Sequence, residues 1–75
     1  MILSESLEEE NGLMFNVVRA DVDYGYNVNE YIRPNFCKVI LRIDKTTTRT
    51  LYFRNGIETS KETILQDERI KSLRR

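Results

Sequence analysis

The chain has no histidine, one cysteine and one proline. Without histidine, and with Cys37 alone, no recurrent zinc or iron–sulfur ligand set can be assembled. No intrachain disulfide can form, which makes a reducing cytoplasm the expected compartment. Cys37 has no imidazole to activate it and reads as a small buried hydrophobe rather than a nucleophile. Long apolar runs are missing too. No run exceeds three residues, as in Val39-Ile40-Leu41, far below the roughly 18 residues of a membrane span. Met1-Ile2-Leu3-Ser4-Glu5 has no basic stretch and is not expected to act as a signal peptide. A soluble chain is expected, with no membrane partner, no metal and no cofactor.

Seventy-five residues make one domain. A chain this short buries only about 60% of its unfolded surface, so a deep preorganised cleft is hard to build. The net charge is zero, but the charges are sorted by position. Residues 1–30 hold seven acids against one base, a net of −6; residues 31–75 hold eleven bases against five acids, a net of +6. Such asymmetry points either to charged partners or to halves that attract each other.

Residues 1–12 read as an acidic N-terminal arm in front of a single small domain over 13–75. Ser6 and Glu9 have capping-box spacing, and Asn11-Gly12 would stop that helix within a turn. An isolated helix so short is unstable, so the arm is helical only if it docks. Residues 13–23 read as a strand, with Val18, Ala20 and Val22 on one face and Arg19, Asp21 and Asp23 on the other. Tyr24 to Asn27 supplies a turn. Residues 26–32 form a weak second strand that Pro34 interrupts. Residues 36–43 alternate most clearly, with Cys37, Val39, Leu41 and Ile43 opposed to Lys38, Ile40 and Arg42. Residues 50–54 pair back as a hairpin that ends at Asn55-Gly56. A C-terminal helix follows, introduced by a capping-box spacing from Thr59 to Glu62 and supported by an Asp67–Lys71 pair. Its apolar stripe is imperfect, because Ile64 falls outside the arc of Leu65, Ile70 and Leu73.

The expected fold is α+β: a three- or four-stranded antiparallel sheet with the C-terminal helix on one face. A small curved β-barrel with a peripheral helix is the runner-up. The expected core is Val18, Ala20, Val22, Cys37, Val39, Leu41, Ile43, Leu51, Phe53, Leu65, Ile70 and Leu73.

Three groups of residues invite a function. Glu8, Glu9 and Glu10 could dock on a basic protein, although acids at a terminus are more often a solvated end. Tyr24, Tyr26, Asn27 and Tyr31 have the composition of an adaptable protein-binding loop, or else cap the edge of the core. Lys38, Arg42, Tyr52 and Arg54 place cations beside an aromatic ring on one sheet face, a surface that could track phosphates and stack bases. The ribonucleoprotein-type glycine–aromatic signature is absent, and the ordinary account is a face paired with acids. Asp21 to Glu30 fails the EF-hand pattern, because glycine stands fifth and Ile32 twelfth. Asp21 and Asp23 would lie roughly 6–7 Å apart on one strand face. With no nucleophile or phosphate loop beside them, they read as partners for Lys38 or Arg42.

The leading expectation is a non-enzymatic protein-binding module: an inhibitor, an adaptor or a small subunit, with self-association open to it. Small stand-alone chains of this kind are common among viral and mobile-element accessory proteins. Nucleic-acid binding through the basic face is the alternative.

Overall fold

The computed structural model describes the backbone of residues 1–73 and the side chains of residues 1–69. It is an α+β fold with one helix on a five-stranded mixed sheet. Strand β1 (Ile2–Glu10) and strand β2 (Leu13–Asp21) form an antiparallel hairpin. Asn11 (φ 53°) and Gly12 (φ 84°) both take positive φ. That is the primed two-residue turn, whose twist matches the flanking strands. The segment expected to be an arm, helical only on docking, is therefore a strand. Glutamate and leucine favour helix locally, but pairing with β2 along nearly the whole segment overrides that preference.

Strand β3 (Phe36–Arg42) pairs with β2 in parallel, with Val18 opposite Val39 and Ala20 opposite Leu41. This departs from the expected meander. A parallel neighbour needs a crossover of a dozen residues or more, and residues 22–35 supply it. Within it, residues 28–31 form a single 3-10 turn instead of the expected strand. Asn27 caps that turn, its Oδ1 accepting from the Asn29 amide at 3.1 Å. Asn16 Nδ2 donates to the Pro34 carbonyl at 2.9 Å, tying the end of the crossover back to β2.

Strand β4 (Thr48–Arg54) pairs antiparallel with β3, and a short strand β5 (Ile57–Thr59) folds back on β4. The turn between them repeats the first device, with Asn55 at φ 52° and Gly56 at φ 84°. The strand order is β1-β2-β3-β4-β5, an open sheet edged by β1 and β5 rather than a barrel.

Both sheet faces are covered. On the first, Val18, Ala20, Cys37, Val39, Leu41 and Phe53 pack beneath Val22 and Tyr31 of the crossover, with Ile43 and Leu51 partly buried beside them. On the second, Phe15 and Val17 pack with Ile64 of helix α1 (Lys61–Leu73), flanked by Leu13, Phe36, Ile40 and Tyr52. The expected core thus holds for the first face and misses Phe15, Val17, Tyr31 and Ile64. The helix sits on the face opposite the one expected. Ile64, the residue outside the helical stripe, is its fully buried anchor; Leu65 is half-buried. Ile70, Leu73 and Lys71 have side chains outside the described residues. The helix cap lies one residue later than the expected box. Ser60 Oγ accepts from the Thr63 amide at 3.1 Å, and the Ile64 amide donates to the Ser60 carbonyl at 3.1 Å.

Candidate functional site

The charge split of the sequence becomes pairing in the fold. Glu5 of β1 accepts from Arg33 Nε of the crossover at 2.7 Å. Asp21 takes Arg42 in a two-point contact at 2.7 and 2.9 Å. Glu10 lies 3.5 Å from both Lys38 and Lys61, and the Tyr52 hydroxyl donates to it at 3.3 Å. Glu8 holds Arg19 at 2.7 Å. Arg54 reaches across to α1, to Asp67 at 3.0 Å and Glu68 at 3.2 Å. Glu5–Arg33, Asp21–Arg42 and Glu10 with Lys38 and Lys61 join the acidic half to the basic half inside one molecule, while Glu8–Arg19 and the Arg54 contacts each lie within one half.

These contacts shift proton affinities. Hydrogen bonds from Arg19 and then Ser6 hold the Glu8 carboxyl down at about 2. For Glu10, burial pushes upward, but the charges of Lys38 and Lys61 outweigh it and the carboxyl ends below its usual value. Asp44, in the loop before β4, is lowered by the amide and hydroxyl of Thr46 and by Thr47. Burial raises the Cys37 thiol, whose Sγ accepts from the Arg33 amide at 3.3 Å. Among the described residues, no three His, Cys, Asp or Glu side chains converge as metal ligands do. Among the described residues, no helix is long and apolar enough to cross a membrane.

The acidic and aromatic candidates lie at opposite ends of β2. Glu8, Glu9 and Glu10 stand beside its start, and Tyr24, Tyr26 and Asn27 follow its end. Glu8 and Glu10 face the helix side, paired as described; Glu9 is exposed on the other face. Tyr24 is 88% exposed. Tyr26 packs against the core edge, its hydroxyl 3.5 Å from Arg49 Nη1. Tyr31 is buried in the core and presents little surface. Asn27 serves the cap described above.

The basic candidates do share one face. Lys38 stands opposite Tyr52, and Arg54 opposite Phe36. However, α1 begins on this face and its cations are engaged. The Lys38 ammonium lies 5.6 Å from the Tyr52 ring centre, and the Arg54 guanidinium 5.9 Å from that of Phe36. Tyr52 meets Phe15 edge to face at 5.8 Å. Arg42 is the most exposed of the three bases, and Asp21 holds it. A base approaching Tyr52 would have to displace Lys38. Beside this cluster lies an open groove of about 550 Å³, lined by Lys38, Ile40, Thr50, Tyr52, Ser60 and Lys61 among others.

The sequence reading missed the β1–β2 hairpin. Leu7 and Met14 stand on the first face beyond the cover of the crossover, 66% and 52% exposed. Ile2 and Leu3 are exposed at the start of β1. The signal was present in Asn11-Gly12, the strongest short-range hairpin mark. No protein-family model, curated protein or solved structure matches the chain.

Proposed function

We propose that the protein is a small non-enzymatic binding module that recognises a protein partner through the β1–β2 hairpin. One observation carries the reading: β1 is a nine-residue edge strand, exposed from Ile2 to Leu7 and again at Glu9, with large apolar side chains on and beside it. An uncovered edge is a ready template for another strand, with main-chain bonds giving affinity and flanking side chains giving selectivity. An inhibitor, an adaptor or a subunit would each use such an edge.

Nucleic-acid binding through Lys38, Arg42, Tyr52 and Arg54 is the weaker reading, because each of those side chains already has an internal partner. The test is affinity capture from the source cell, with nuclease, comparing wild type with Leu7→Pro. Proteins retained by wild type and lost by the variant are the expected result. Retention that vanishes with nuclease and ignores Leu7→Pro overturns the reading.

A further inference from the structure

We propose that β1 is the seam of a homodimer, two copies pairing their β1 strands antiparallel about Ser6 to give one continuous sheet. This rests on the β1 edge being the working surface and commits that edge to a second copy of the chain.

The two sheet edges are unequal. Strand β5 has three residues and is followed closely by α1, a protected edge. Strand β1 has nine residues and contains neither proline nor glycine. Its register shift lies between Ile2 and Ser4, outside the central stretch. Glu10 and Leu13 flank the two-residue turn and so form a hydrogen-bonded pair. By alternation, Ser4, Ser6 and Glu8 turn their backbone groups toward β2. Glu5, Leu7 and Glu9 turn theirs outward, unpaired.

A two-fold axis perpendicular to the sheet must pass through one residue of each strand. At Ser6, the outward groups of Glu5 meet those of Leu7 in the second copy, and Glu8 faces Ser4. Glu9 and Glu10 reach past Ser4 to the apolar Ile2–Leu3 end. No acid stands directly opposite an acid. The neighbouring registers lack this property: an axis at Glu5 sets Glu5 against itself, and one at Leu7 sets Glu5 against Glu9. Like charges directly opposite destabilise a strand pair, which excludes both neighbours; an axis at Ser4 also avoids facing acids, but it falls beside the register shift and pairs fewer residues, so Ser6 is the register that pairs the whole strand.

Two further observations fit a second copy. Acids on an edge normally repel a like edge, but Glu5, Glu8 and Glu10 are matched by Arg33, Arg19, Lys38 and Lys61 of their own chain. The repulsion that would keep two such edges apart is largely removed. Pairing about Ser6 also brings the two exposed Leu7 side chains onto diagonal positions of one face, with each Met14 on the adjoining strand, giving these residues apolar neighbours.

Sedimentation across a wide concentration range tests the state, since one strand-to-strand seam is a small, reversible interface. Ser6→Cys and Ser4→Cys test the register. Residues facing across a non-hydrogen-bonded pair stand close enough for a disulfide, so mild oxidation should cross-link Ser6→Cys and leave Ser4→Cys at the wild-type level. Leu7→Pro removes an outward amide without touching the β2 ladder and should abolish the dimer. Leu7→Glu, which sets Glu against Glu5, should do the same if the proline variant fails to fold. Strict monomers at every concentration overturn the proposal, as does a dimer indifferent to Leu7→Glu or one cross-linked equally through Ser4→Cys. A monomer that still loses another captured protein on Leu7→Pro overturns the dimer alone and leaves the edge reading standing.

Discussion

Ile64 carries much of the attachment of α1 to the sheet. It is fully buried against Phe15 and Val17, while its neighbour Leu65 is only half-buried. Removing a buried branched side chain costs its transfer free energy plus the cavity left behind, about 2–5 kcal/mol. Ile64→Ala is expected to fall in that range by urea denaturation and Leu65→Ala well below it; equal effects would mean that the helix does not dock through Ile64. The carboxylates give a second residue-scale expectation. Glu8 is held at about 2 and Glu10 is lowered, against an ordinary value of 4.5. A carboxyl whose pKa is depressed by folding stabilises above its unfolded pKa and loses that contribution as pH falls through the folded one. Stability should therefore decline between pH 4.5 and about 2, and Glu8→Gln should flatten that decline. Thermal melts across this range check it, an unchanged slope in the variant being the contrary result.

The two Asn-Gly turns set the register of their hairpins. Gly12 sits at φ 84°, and a Cβ placed there would meet nothing within 4 Å. Gly12→Ala would therefore cost backbone strain rather than a clash, about 1–2 kcal/mol for a left-handed residue with a side chain. A chemical denaturation midpoint lowered by that amount is expected; no change would place the turn in another geometry. The β2 strand shows why element assignment succeeded in part. Phe15, Val17 and Val18 are all buried, because the crossover covers one face and α1 the other. A strand buried on both faces gives a near-continuous apolar run, and alternation then identifies only one of its sides.

At the scale of the molecule, Arg33, Lys38, Arg42, Arg54 and Lys61 are each held by an acid of the same chain, so the basic sheet face offers phosphates few unengaged cations. Wild-type protein in a mobility-shift titration at physiological salt is expected to show no sub-micromolar binding to DNA or RNA. Tight binding with a steep salt dependence would reverse the order of the two functional readings.

The sequence by itself determined the α+β class, the alternation of β3, the first-face core from Val18 to Phe53 and the sharing of one face by Lys38, Tyr52 and Arg54. Each follows from a two-residue period or from local turn chemistry, which act over a few neighbours. Only the tertiary structure decided that β3 runs parallel to β2, since parallel and antiparallel strands share the same period. It also decided that Glu-rich residues 2–10 form a strand, because cross-strand pairing with β2 outweighs local helix preference. The exposure of the β1 edge followed from the same cause: whether a strand ends a sheet depends on which segments fold beside it, and no local pattern carries that information.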